Sequence, residues 1–143
     1  MNGVKRGFTL IEILTVLVVL SILILVVALS YVTNASRDAK ASEVAQNFRN
    51  IKVAVENYWN TERPTNVQSV NFNKLVPDYL SKRPADFLLD GPNPISGQPN
   101  VYEVMIIYSG NDVDIERVRK QGLSEVSGNT GNMLLVFNLQ KWW

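Results

Sequence analysis

Two hydrophobic patterns follow one another along the chain. From Phe8 to Val32 (FTLIEILTVLVVLSILILVVALSYV) the residues are mostly Leu, Ile and Val with scattered Thr and Ser, and Glu12 is the one charged side chain. About 20 apolar residues cross a hydrocarbon core of roughly 30 Å. A backbone in lipid must satisfy its own hydrogen bonds, so a single span of this kind is a helix. Past Asn34 the pattern becomes periodic. Ala41, Val44, Ala45, Phe48, Ile51, Val55, Tyr58 and Trp59 recur at helical spacings, with Arg37, Lys40, Glu43, Asn47, Arg49, Asn50, Lys52 and Glu56 between or beside them. That is one dry face of an amphipathic helix. No Pro or Gly interrupts Asn34 to Trp59. The two stretches together predict one helix over about 8–59, apolar all round in its first half and dry along one stripe in its second.

The rest of the chain reads as short elements. Arg63-Pro64 disfavours helix at residue 63, so the long helix is expected to stop near Asn60 and give way to a polar loop over Thr61–Ser69. Asn71–Leu80 predicts a short helix or turn, limited by Pro77. Asp90-Gly91-Pro92-Asn93-Pro94-Ile95-Ser96-Gly97-Gln98-Pro99 is turn chemistry throughout. Val101–Tyr108 (VYEVMIIY) is the clearest strand and Met133–Leu139 (MLLVFNL) the second. Asp112–Gln121 runs from acids to bases and closes on Gly122, matching the helix dipole, although Val113-Asp114-Ile115 also alternates as a strand does. Leu123–Val126 reads as a brief strand and Ser127–Asn132 as a tight loop. Trp142 and Trp143 are expected to fold back on the sheet or helix, a partner-binding role being the sharper alternative. The resulting fold class is α+β: a long amino-terminal helix whose carboxy-terminal half packs on a small antiparallel sheet.

Composition narrows the chemistry. The chain of 143 residues has no Cys and no His, and its formal net charge is +1. No disulfide staples the domain, and the commonest general base and metal ligand are missing. No basic patch argues for direct nucleic-acid binding. No Gly-rich phosphate loop or paired carboxylates with supporting context appear, so the expectation is a non-enzymatic protein with no catalytic residue.

Lys5 and Arg6 precede the apolar run, while its far flank mixes Arg37 and Lys40 with Asp38 and Glu43. The positive-inside rule puts residues 1–7 in the cytoplasm and the rest outside. In a secretory signal the small-residue cleavage site follows the apolar stretch; here the small residue, Gly7, stands before it. Gly7-Phe8-Thr9-Leu10-Ile11-Glu12 resembles the cleavage motif of the type IV pilin and type II secretion pseudopilin superfamily. The resemblance implies a leader over 1–7, removed after Gly7 by a prepilin peptidase that methylates the new amino terminus at Phe8. It implies an assembly helix over 8–32, a pilin-like exported domain over 33–143, and pairing of Glu12 with the Phe8 amine of a neighbouring subunit. The implied partners are copies of the chain or related subunits in a filament, an inner-membrane assembly platform and, before assembly, bilayer lipid. The implied location is the bacterial inner membrane in a single pass, then an extracytoplasmic filament.

Leu75-Val76-Pro77-Asp78-Tyr79-Leu80, followed by Arg83-Pro84-Ala85-Asp86, resembles the segment after the long helix of major pseudopilins and favours a secretion pseudopilus over a type IV pilus. A membrane-anchored binding domain is the reading from another class. The chain departs from many family members in having Leu29 and Ser21 where a proline and a glycine break the helix, so two expectations stand, a helix that stays continuous or a minor subunit, with Ser21 and Ser30 able to bond back to carbonyls and bend the helix slightly. Major pseudopilins often bind calcium. Asn111, Asp112 and Asp114 supply suitable oxygens, but helix capping explains them as well, and the expectation is no cofactor. Asn34-Ala35-Ser36 is a glycosylation triplet of the kind that occurs often by chance.

Overall fold

The computed structural model describes residues 9–65 and 70–143. Helix α1 spans Leu10–Glu62, followed by α2 (Phe72–Leu75), β1 (Phe87–Pro94), β2 (Val101–Tyr108), α3 (Ile115–Lys120), β3 (Ser127–Asn129) and β4 (Asn132–Gln140). Packing divides the chain between Arg37 and Asp38.

In the first unit, α1 is a bare apolar helix with no side chain buried from Leu10 to Arg37. Its best 18-residue window has a mean hydropathy of 3.2, long and apolar enough to cross a membrane. Its hydroxyls do not compete with the ladder. Thr15 Oγ1 donates to Ile11 O at 2.8 Å, Ser21 Oγ to Leu17 O at 2.8 Å, Ser30 Oγ to Val26 O at 3.1 Å and Thr33 Oγ1 to Ser30 O at 3.0 Å. Each of these four hydroxyls is satisfied within its own helix, as crossing a membrane would demand. The helix is unbroken past Ser21 and Leu29.

In the second unit, α1 lays Ala41, Val44, Ala45, Phe48, Ile51, Ala54, Val55, Tyr58 and Trp59 on the sheet. This is the expected stripe with Ala54 added. The sheet has the order β1-β2-β4-β3, all antiparallel. Val104, Ile106 and Tyr108 of β2 and Met133, Leu135, Phe137 and Leu139 of β4 face the helix. Aromatic contacts pin the two layers: Phe48 meets Phe87 edge-on at 5.0 Å, and Trp59 lies 5.5 Å from Tyr102. The Trp59 indole also donates to Gln140 O at 3.0 Å. The α+β arrangement of helix on antiparallel sheet is the expected one.

Several boundaries differ from expectation. Helix α1 runs on to Glu62 rather than stopping near Asn60, and ends where Arg63 takes a left-handed φ of 47°. Arg63 N–H still donates to Trp59 O at 3.3 Å, so the stop is a left-handed cap ahead of Pro64. The loop expected over Thr61–Ser69 is thereby shortened, and residues 66–69 lie outside the described residues. The Asp90–Pro99 turn is in part a strand: β1 continues through Pro94 with a bulge between Asp90 and Asn93. Proline is admissible because β1 is an edge strand. Gly91 has φ +100°, and a Cβ there would meet Glu103 O at 2.6 Å.

Leu123–Val126 is a turn rather than a strand. Val126 N–H donates to Leu123 O at 3.2 Å, both side chains are buried, and Arg119 Nε donates to Val126 O at 2.9 Å. The tight loop expected over Ser127–Asn132 contracts to Thr130-Gly131, because Ser127–Asn129 pairs with β4. Helix α3 is shorter than Asp112–Gln121 because Asp114 caps it, accepting from Glu116 N–H at 3.0 Å. Of the two terminal indoles, Trp143 folds back onto Trp59 at 5.2 Å, whereas Trp142 stays 60% exposed beneath the Arg63 guanidinium.

Candidate functional site

The apolar helix opens on a reciprocal cap. Thr9 N–H donates to Glu12 Oε2 at 2.8 Å, and Thr9 Oγ1 donates to the same oxygen at 2.9 Å. In return Glu12 N–H lies 3.3 Å from Thr9 Oγ1 and 3.1 Å from Thr9 O. This is a capping box, in which a Thr and a Glu three residues later satisfy each other's amide donors at a helix start. A carboxylate in the first turn also complements the positive end of the helix dipole. Both Thr9 bonds converge on Oε2. Among the described residues Oε1 has no hydrogen-bond partner.

Gly7 and Phe8, the expected processing residues, lie outside the described residues. Glu12 is positioned one turn into α1. Thr9 is the residue that sequence reasoning missed, although a Thr-x-x-Glu ahead of an apolar run is a readable capping signal.

The three residues considered for calcium sit at the β2–α3 turn and have internal duties. Asp112 Oδ1 accepts from the Tyr108 hydroxyl, and its Oδ2 lies 3.8 Å from Lys40 Nζ. Asp114 caps α3. The Asn111 side-chain oxygen fills the space that a Cβ on Gly131 would need. Lys40 also pairs with Glu43 at 3.0 Å, and Arg117 pairs with Asp38. Burial, then the hydrogen bond to Asp112, pushes the Tyr108 hydroxyl well above the ordinary tyrosine range. The Tyr108 hydroxyl, and more weakly Lys40, holds Asp112 below the ordinary carboxylate range. No group of three or more Asp or Glu side chains is arranged to hold a metal among the described residues.

Residues 3–28 match the family model described as the prokaryotic N-terminal methylation motif. No curated protein and no solved structure gave a match. The matched segment spans Gly7, Phe8, Thr9 and Glu12 and runs well into the apolar helix. That motif implies processing by a prepilin peptidase and assembly with pilin-like subunits, and the apolar helix fits a membrane-anchored protein that passes into an extracytoplasmic filament. The amino-terminal methylation motif over residues 3–28, with a long helix and a small antiparallel sheet behind it, supports a likeness to the type IV pilin-like superfamily.

Proposed function

We propose that this chain is a structural subunit of a type II secretion pseudopilus, cleaved after Gly7, methylated at Phe8 and drawn from the inner membrane into a helical filament. The observation that carries the reading is the methylation motif, with Glu12 one turn into an otherwise uncharged helix. Cleavage creates a cationic amine at Phe8. In a neighbouring copy, Glu12 keeps Oε2 on Thr9 and turns Oε1 to that amine. Two desolvated charges then offset each other in one contact, and the contact sets the axial register between subunits. Apolar helix faces exchange lipid for neighbouring Leu, Ile and Val with little net change, because tails and side chains are similarly apolar. Selectivity therefore falls on the charged pair. Thr9 and Glu12 both remain after cleavage, so the capping box persists in the mature chain.

Glu12→Ala is expected to leave insertion and cleavage intact and to lower filament yield by an order of magnitude or more in sheared fractions. Normal yield from that variant refutes the pairing. Gly7→Phe is expected to leave the leader in place, read as an unprocessed mass. The resemblance of 71–86 to pseudopilins and the lack of Cys favour secretion over a type IV pilus; loss of secretion, rather than of surface fibres, on deleting the gene separates the two.

A further inference from the structure

Strand β3 is shorter than the strand it joins. It pairs Ser127, Gly128 and Asn129 with Leu134, Met133 and Asn132 and ends there, because the chain before it turns away over residues 123–126, where Arg119 Nε donates to Val126 O. Past Leu134, β4 keeps β2 along one side and has no strand along the other. Ser127 Oγ donates to Leu134 O at 3.3 Å, so Leu134 turns its carbonyl toward β3 and away from β2. In an antiparallel strand the N–H and C=O of one residue point to the same side, and successive residues alternate. Val136 and Asn138 therefore turn both groups to the open side, while Leu135 and Phe137 turn theirs to β2. Among the described residues, no hydrogen bond reaches the Val136 or Asn138 backbone from that side.

Unpaired strand edges invite other strands, and proteins blunt them with Pro, bulges, Lys or brevity. The β1 edge carries a bulge, Pro92 and Pro94; β3 is three residues long with Gly128 at its centre. Residues 135–140 of β4 (LVFNLQ) contain no Pro, Gly or charge. Their outer side chains Val136 and Asn138 are exposed. On the inner face, Lys52 Nζ lies 5.6 Å from the centroid of the Phe137 ring.

We infer that this edge takes an extended segment of another polypeptide, laid antiparallel to β4 in line with β3. Donor and acceptor pairs at strand spacing select an extended main chain over a helix, a lipid or a sugar. The rows of the sheet specify its side chains. Asp90, Met105 and Val136 form one outer row, and the segment's residue beside Val136 is apolar. Glu103 and Asn138 form the next, and the residue beside Asn138 is polar. The residue between them, opposite Phe137, meets the Lys52 ammonium and is small or acidic. The turn at 123–126 closes one end of the edge and the Trp59 indole holds Gln140 O at the other, so the segment is about five residues long. A second copy of β4 fits poorly. In the register that pairs Val136 with Asn138, it sets Phe137 against Phe137 and brings two Lys52 side chains together. The inference rests on the domain alone and not on the filament reading.

The probe is the peptide acetyl-Lys-Thr-Ser-Val-Thr-Lys-amide, whose first Thr faces Asn138, whose Ser faces Phe137 and whose Val faces Val136. It is added at about 1 mM to isotope-labelled full-length chain in zwitterionic detergent micelles, and amide shifts and hydrogen exchange are read by NMR. The expected result is a shift at Val136 and Asn138 with exchange slowed several-fold, while Leu135 and Phe137, already held by β2, keep their rates. The same peptide N-methylated at that Thr and at Val, which no longer donates to Asn138 O or Val136 O, should leave all four unmoved. Asn138→Pro removes an N–H that the sheet does not use and should abolish the response with exchange at Leu135 and Phe137 preserved. No response at Val136 and Asn138 overturns the inference, as does an equal response to the N-methylated peptide or from the Asn138→Pro chain. Val136 and Asn138 amides as protected as Leu135 in the chain alone also overturn it, and loss of that protection on dilution assigns the edge to a second copy. Cleavage at Gly7 and filament yield, which test the filament reading, stand apart from each of these outcomes.

Discussion

Within α1, Leu10–Arg37 and Asp38–Glu62 share one backbone ladder and follow opposite side-chain rules. The first stretch is apolar on every side from Ile13 to Val32 and buries nothing against its own chain; the second buries a single stripe and leaves the rest wet. On the proposed function, the first would rely on its surroundings for stability, lipid before assembly and neighbouring helices after it. The second draws its stability from a partner made by the same chain, the sheet. One helix thus joins a segment with no packing partner in its own chain to a segment packed on the sheet. A substitution in either stretch should therefore be felt in one kind of measurement and be silent in the other.

The largest effect separating the two is expected from Trp59→Ala. Removing a buried indole that also holds Gln140 O should cost the domain about 3–5 kcal/mol, measured by chemical denaturation of the full chain in detergent, with membrane insertion unchanged. A loss of insertion would break the separation. Gly91→Val comes next. It forces a branched side chain into a left-handed conformation against Glu103 O, at a cost of about 1–3 kcal/mol, again confined to the domain. Asp114→Ala, which removes the α3 cap, should cost about 1 kcal/mol, and amide exchange should rise at Glu116 and Arg117 first.

Tyr108 gives a smaller effect with a definite sign. Its folded pKa lies above the unfolded one, so its contribution is complete below about pH 10 and is lost as pH rises through the folded value. Tyr108→Phe should flatten the alkaline limb of the stability profile; an unchanged limb would assign that loss to other groups. The smallest effect is Ser21→Ala. Its hydroxyl bonds only within its own helix, so protease protection of the span and domain stability should both stay at their original values.

The sequence made α1 legible because two strong periodic signals, a continuous apolar run and a stripe at Ala41–Trp59, sit in one uninterrupted stretch. Strands β2 and β4 were legible for the same reason, being rich in β-branched and aromatic residues. Strand β1 was hidden because Gly91, Pro92 and Pro94 carry local turn preference, and only pairing with β2 overrides it at an edge. Leu123–Val126 misled in the other direction: its apolar residues are buried by a turn that Arg119 holds, not by a ladder. At the helix start Glu12 stood out as a charge among apolar residues, whereas Thr9 did not, since a hydroxyl in such a run has a bland explanation until its two bonds to the carboxylate are seen.

The order β1-β2-β4-β3 places β4 in the interior of the sheet, flanked by β2 along its whole length. Met133, Leu135, Phe137 and Leu139 therefore belong to the same core as Phe48 and Trp59, although nearly a hundred residues of chain lie between them and the membrane-apt stretch. During synthesis, the domain has no finished core until residue 140 has emerged and threaded between its neighbours. A chain truncated before β4 is therefore expected to lack a closed core, read as rapid amide exchange along Ala41–Trp59.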